Sequence, residues 1–336
     1  MKRLLLPALA LLLLPLAFAC SSGESSNRIR VQLDWTPNTN HFGIYVALAQ
    51  GWYKDAGLDV QVLPYIDVNP DLIVANGKAD VGISFPANVI FSRASGLDVV
   101  SVAGVLQRSV TELAVLDSSS IQRPRDLDGK TYAGFGLPFE QPMIKSVITA
   151  DGGKGDFKSV TLSTAAYEAL YNGRADFTEI YTTWEGIEAQ LRGVKLRTFR
   201  YDQYGVPDFP GVLLIASRSR LDKDEAKLRR FLEVTRRGYE FAAQQPQAAA
   251  QLMLDYLPHE TFPEPEQVRR SADLIAQSFL APDGHWGTQD PAKWNAYTNW
   301  LQGAGVVTDA RGNVVRDIRA EDLYTNRLLQ STGQSP

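Results

Sequence analysis

The sequence predicts an α/β protein of two three-layered lobes, joined by two crossing segments with a ligand cleft between them. Three observations lead there. Residues 31–53 read as strand, loop and helix: Val31 and Leu33 alternate with polar neighbours, residues 35–40 break the pattern, and Phe42, Tyr45, Val46 and Ala49 then fall at i, i+3, i+4 and i+7. Asn76-Gly77-Lys78-Ala79-Asp80 is echoed by Asn172-Gly173-Arg174-Ala175-Asp176, each a helix end, a glycine cap and a strand start. The apolar run 212–217 reads as the chain returning to the first lobe, with the outward crossing near residues 112–116. Two crossings make a hinge.

Taken in order, a second strand over 58–63 stops at Pro64, and a helix over 69–75 closes at Asn76-Gly77. Residues 79–84 read as a buried strand feeding Ser84-Phe85-Pro86-Ala87-Asn88, where another helix starts; 99–106 is strand-like and 112–116 extended. In the second half a strand over 130–135 leads through Gly136-Leu137-Pro138-Phe139-Glu140 to a helix over 143–150. A short strand at 161–163, a helix over 165–171 and a strand over 175–180 follow. The remainder is helical. Leu228, Phe231, Leu232, Thr235, Tyr239 and Ala242 share one face, 264–280 forms another helix, and Pro291 opens a third. That last helix carries Trp294, Tyr297, Trp300 and Leu301, an aromatic stripe read as core packing. The expected division is lobe one over 28–111 plus 213–330, with the C-terminal helices packed mainly on it, and lobe two over 112–212.

A chain of 336 residues holds one large or two ordinary domains. Its 44% hydrophobic and 21% charged content is ordinary for a globular protein. The formal charge of −4 becomes about −6 when Lys2 and Arg3 leave with a signal peptide; no long basic run offsets it, which argues against nucleic acid as a partner. Lys2 and Arg3 precede an apolar run over 4–16 that is too short for a comfortable membrane span, so residues 1–19 read as a signal peptide. Cys20 is the only cysteine, which excludes an internal disulfide and a thiolate metal cluster. Its position at the expected cleavage point marks it for lipidation, although Ala17 and Phe18 replace the commoner Leu-then-small pair; plain secretion is the alternative. Residues 20–27 are polar enough to tether a globule to a lipid anchor outside the cell.

Two strand-end loops carry the candidate chemistry. Trp35, Asn38 and Thr39 stand where a strand C-end meets a helix N-end, the place where open α/β sheets bind ligands. Trp35 packing on its own domain is the structural alternative. Tyr181-Thr182-Thr183-Trp184-Glu185-Gly186 occupies in lobe two the place that Ser84 to Asn88 holds in lobe one. Tyr181 and Trp184 offer rings for stacking, and Thr182 and Glu185 offer hydrogen bonds to a heterocycle edge. The alternative is a capped helix start with Thr183 as N-cap and Trp184 in the core. The loop from Gly134 to Glu140 faces the same cleft and lacks the Gly-Lys-Ser/Thr ending of a phosphate loop. His41, His259 and His285 have no metal-ligand spacing and there is no Gly-x-Ser-x-Gly elbow, so neither a metal, a cofactor nor catalysis is expected.

The run LDWTPNTNHFGIYVALAQGWYKDAGLDV resembles the opening of the NMT1/THI5-like solute-binding proteins of ABC importers, and the likeness covers nearly the whole mature chain. It implies a periplasmic-binding-protein-like fold of type II and a small-molecule ligand handed to an ABC permease. Family members bind thiamin pyrimidine precursors, such as formylaminopyrimidine or hydroxymethylpyrimidine, or riboflavin. Members with the second motif often read Tyr-Trp-x-Trp-Glu-Gly, whereas this chain has Thr182 in place of the second ring. A smaller side chain there favours the longer riboflavin, stacked by Trp35, Tyr181 and Trp184 and bonded by Asn38, Thr39, Ser84, Thr182 and Glu185. A pyrimidine precursor is the alternative ligand. A pyrimidine-synthesis enzyme of the THI5 type is the second alternative, and the Cys-rich motif of those enzymes is absent because Cys20 stands alone.

Overall fold

The computed structural model describes residues 27–329. The expected signal peptide, Cys20 and the expected tether up to Ser26 lie outside those residues. Ten strands form two sheets of five. The first holds β1 (Arg28–Gln32), β2 (Asp59–Leu63), β3 (Val81–Ser84), β4 (Val100–Gly104) and, far later, β10 (Leu213–Ala216), in the order β2-β1-β3-β10-β4. The second holds β5 (Thr111–Leu116), β6 (Thr131–Gly134), β7 (Lys158–Thr161), β8 (Phe177–Tyr181) and β9 (Leu196–Arg200), in the order β7-β6-β8-β5-β9.

The two orders are one plan used twice. In each sheet four strands run the same way and one, fourth in the order, is reversed: β10 lies antiparallel to β3 and β4, and β5 antiparallel to β8 and β9. Each reversed strand is the one that has just arrived from the other half of the chain. The echo seen in the sequence has a physical role in this plan. Asp80 accepts the Arg30 N–H at 2.8 Å, and Asp176 accepts the Thr131 N–H at 2.8 Å, so each aspartate pins the parallel strand beside it. The expected two-lobed α/β fold is present.

Several boundaries differ from expectation. Residues 112–116 are not the outward crossing: they belong to β5, hydrogen-bonded on both sides, and the chain crosses over 105–110 instead. Residues 161–163 are not a strand, because β7 ends at Thr161 and Ser163 turns into a short helix with φ of 48°. The strand β9 escaped the sequence reading because it is an edge strand, where Arg197 and Arg200 interrupt the apolar pattern. The C-terminal helices do not all pack on lobe one. Trp294, Tyr297 and Leu301 of the helix Pro291–Gly303 share a core with Met143, Ile144 and Phe209, and Tyr297 stacks on Phe209 at 4.5 Å. Among the described residues no helix is long and apolar enough to cross a membrane.

The tightest packing lies under the opening loop. The helix Phe42–Ala49 crosses the helix Glu225–Gln244, and the crossing point is glycine against glycine. A Cβ on Gly238 would sit 2.0 Å from the Gly43 carbonyl oxygen, and one on Gly43 would sit 2.1 Å from the Tyr239 ring. Tyr239 then stacks on Trp286 at 4.7 Å and donates its hydroxyl to the Asn40 carbonyl at 2.7 Å, which fixes the loop that carries Trp35. Gly238→Ala should therefore cost about 3 kcal/mol or more, because backbone rather than a flexible tip must move. Gly303→Ala meets open space and should be neutral or slightly stabilising. Urea unfolding of both variants tests this, and equal midpoints would refute the close-crossing account.

Candidate functional site

Where the C-ends of the two sheets face each other, a cavity of about 200 Å³ opens between the lobes. The segments after β1, β2, β3, β6, β7 and β8 and both crossings wall it. The loop after β1 supplies Asp34, Trp35, Asn38 and Asn40, the loop after β3 supplies Phe85 and Asn88, and the loop after β6 supplies Phe135, Leu137 and Phe139. The end of β8 supplies Glu179, Tyr181, Trp184 and Glu185, while the crossings add Ser109, Val110, Phe209 and Gly211.

Five of the eight expected ligand-binding residues line this cavity: Trp35, Asn38, Tyr181, Trp184 and Glu185. Three do not. Thr39 is buried against the helix Pro265–Ile275, its hydroxyl 2.6 Å from that of Ser271. Ser84 donates to Asp71 at 2.5 Å beneath the loop. Thr182 turns outward and ties both its N–H (2.9 Å) and its hydroxyl (3.1 Å) to the Val110 carbonyl of the first crossing. A small residue at 182 therefore opens no space in the cavity, and the size argument built on it fails. Thr183 does not cap the next helix either; its hydroxyl is buried without a hydrogen-bond partner, and Trp184 holds the cap position.

The structure adds residues that pattern reading missed. Tyr65, Phe85, Phe135, Tyr167, Glu179, Phe209 and Tyr297 all line the cavity. Only Glu179 left a signal, a carboxylate inside an otherwise apolar strand. Tyr297 was assigned to core packing and proves to be both, buried at 1% exposure yet reaching the cavity wall. Three ring pairs bridge the lobes: Trp35 with Phe135 at 6.2 Å, Phe85 with Tyr181 at 6.2 Å, and Trp184 with Phe262 at 6.2 Å.

Electrostatically the wall is acidic. Among the described residues that line the cavity there is no Lys, Arg or His. Burial pushes the Glu185 carboxyl up to about 8, opposed by the backbone N–H groups of Tyr181 (3.0 Å) and of Glu185 itself and by the Tyr167 hydroxyl, so near neutral pH the balance favours the protonated form, which can donate. Burial likewise raises Glu179 to about 7, opposed by the Tyr201 hydroxyl that donates to it. His41 is a positioning residue: its Nδ1 accepts the Asn38 N–H at 3.2 Å, which leaves Nε2 to donate to Asp34 at 2.8 Å. No group of three metal-ligating side chains occurs among the described residues.

Comparison with known proteins agrees with this architecture. The family described as NMT1/THI5 like matches residues 38–249. A formylaminopyrimidine-binding protein of Halalkalibacterium halodurans is 28% identical over 91% of this chain and 92% of its own. A 4-amino-5-hydroxymethyl-2-methylpyrimidine phosphate synthase of Legionella pneumophila is 24% identical over 92% of this chain and 94% of its own. Among solved structures, the zinc-bound ligand-binding component of an ABC-type import system from Staphylococcus aureus superposes with a TM-score of 0.69 at 13% identity, covering 92% of this chain and 100% of that one.

The raised carboxyls make the ligand-free fold sensitive to pH. Glu185 and Glu179 are held above their ordinary value of 4.5, so the fold favours their protonated forms. That contribution is complete below about 4.5 and is lost as pH rises through about 7 and 8. Thermal unfolding of the ligand-free protein should show Tm falling across that window. Glu185→Gln, which keeps the shape and stays neutral, should flatten part of the fall. An unchanged slope in the variant would contradict the assignment.

Proposed function

The chain belongs to the NMT1/THI5-like family, and on that premise we propose that it is the solute-binding component of an ABC-type importer, capturing riboflavin outside the cell for a membrane permease. The observation that carries the ligand is the aromatic wall. Two Trp, four Phe and four Tyr line one cavity. A single pyrimidine has two faces and is sandwiched by two rings, whereas a three-ring isoalloxazine presents enough face and edge to use many more. Stacking contributes about 0.5–1.5 kcal/mol per ring pair beyond area burial, which suits sub-micromolar capture when several rings engage. The protonated Glu185 and the amide of Asn88 supply directional bonds to ring carbonyls and nitrogens. Cys20, carrying lipid, anchors the mature protein to the membrane surface.

A pyrimidine precursor of the formylaminopyrimidine type is the second reading. It is favoured by the cavity of about 200 Å³, small beside the roughly 300–1,000 Å³ of drug-sized sites. It is also favoured by the printed ligand of the relative from Halalkalibacterium halodurans. Catalysis of the synthase type finds less support, since the Cys-rich motif of those enzymes cannot form from one cysteine.

Riboflavin fluorescence should be quenched saturably on titration with the mature protein. Trp184→Ala should weaken binding by about tenfold, the equivalent of one lost stacking contact. Absence of quenching together with tight calorimetric binding of formylaminopyrimidine would establish the second reading, and binding of neither would reject both.

A further inference from the structure

The helix that opens on the cleft after β3 begins without a cap. It runs over Pro86–Ala94, and Phe85 holds the position where Ser, Thr, Asn or Asp would accept the first free N–H groups. The Phe85 ring is given to Tyr181 instead, at 6.2 Å, and the neighbouring Ser84 hydroxyl donates to Asp71 at 2.5 Å. Pro86 has no N–H, and Val89 donates to the Phe85 carbonyl at 3.0 Å. The N–H groups of Ala87 and Asn88 are therefore left without a protein acceptor among the described residues. Ala87 and Asn88 are buried at 3% and 7% exposure, and both line the cavity. A buried backbone donor without an acceptor costs about as much as a lost hydrogen bond, so such an end calls for a partner.

The Asn88 side chain is a second, independent sign. Its carboxamide lines the same cavity and has no hydrogen-bond partner among the described residues, whereas a buried amide ordinarily has one. The neighbouring loop and helix starts around the cleft are satisfied by their own chain. Glu140 takes the N–H groups of Phe135, Gly136 and Leu137, and Glu185 takes that of Tyr181. The Asn38 side chain accepts from the Asn40 N–H at 2.9 Å, and the Asn69 side chain from the Asp71 N–H at 3.0 Å. Against these, the start at Pro86 offers the cavity two backbone N–H groups and a carboxamide at the positive end of a helix dipole, a set that suits a negatively polarised oxygen.

We infer that this helix end seats an oxygen acceptor of the ligand, a carbonyl oxygen or an oxyanion, held by the N–H groups of Ala87 and Asn88 and by the Asn88 carboxamide. The seat rests on the reading of the cavity as a ligand site given above, and it serves riboflavin and formylaminopyrimidine alike, since both carry carbonyl oxygens. A cap installed at position 85 would compete with the ligand for the same two N–H groups.

The test compares two variants of the mature protein that differ by one oxygen. Phe85→Ser removes the ring and supplies a capping hydroxyl; Phe85→Ala removes the ring alone. Without ligand, Phe85→Ser should melt about 2 °C above Phe85→Ala, the size of one N-cap in a chain of this length. In calorimetry with riboflavin and with formylaminopyrimidine, whichever binds the wild type should bind Phe85→Ser about tenfold more weakly than Phe85→Ala. Asn88→Ala removes a side chain without a protein partner, so Tm should hold or rise while affinity for the same compound falls about tenfold. That variant carries the test if those at position 85 do not fold. Sulfate compared with chloride at matched ionic strength separates the two kinds of oxygen. Specific stabilisation of the wild type, lost in Phe85→Ser, identifies an oxyanion; its absence beside binding of a heterocycle identifies a carbonyl. Equal Tm and equal affinity of the two Phe85 variants, or an Asn88→Ala variant that binds as the wild type does, would overturn the inference. If neither heterocycle nor sulfate binds the wild type, the proposed ligands fall, and the Tm comparison at position 85 decides the seat: a higher value for Phe85→Ser supports it and equal values reject it.

Discussion

The molecule depends on how its two crossings lie against each other. Val105 and Leu106 donate N–H groups to the Val212 carbonyl at 2.8 and 3.1 Å, and Gly211 donates back to Leu106 at 3.1 Å. A Cβ on Gly211 would meet the Arg108 carbonyl oxygen at 2.7 Å, so the approach requires glycine there. This short ladder sets the two sheets with their C-ends facing one another and delivers one reversed strand into each. Thr182 extends the same connection by tying lobe two's binding turn to Val110 of the first crossing. The cleft is therefore framed by backbone pairing, and its side chains are free to specify a ligand.

Glu185 on the cleft wall and Glu140 behind it show how local donors act on a buried acid. Both are buried and both begin a helix of lobe two. Burial pushes the Glu140 carboxyl above its ordinary value, and three backbone donors and a phenol oppose that rise. Burial raises Glu185 to about 8, opposed by the N–H groups of Tyr181 and of Glu185 itself and by the Tyr167 hydroxyl.

Much of the architecture was legible because strands and parallel crossovers leave local patterns. The Asn-Gly-x-Ala-Asp echo proved to be a structural device, since Asp80 and Asp176 pin equivalent strands. The site was legible as places more than as residues. Sequence located the loops after β1, β3, β6 and β8, but which face a side chain takes in a loop is decided by distant partners. Thr39 is drawn away by Ser271, 232 positions later, and Thr182 by Val110. Tyr297 reaches the cavity only because its helix packs across onto Met143 and Phe209, a contact no periodicity reports.

The bridging ring pairs bear on how a ligand is taken up. Trp35 with Phe135, Phe85 with Tyr181 and Trp184 with Phe262 join the lobes across the cleft. Ring stacking on a ligand held there adds to the apolar area removed from water and to the polar bonds in setting its binding free energy. Only the difference in ligand affinity between the two arrangements can drive closure. In this cleft the rings that face it from both lobes and the few polar groups among them are the contacts that can differ between the two arrangements.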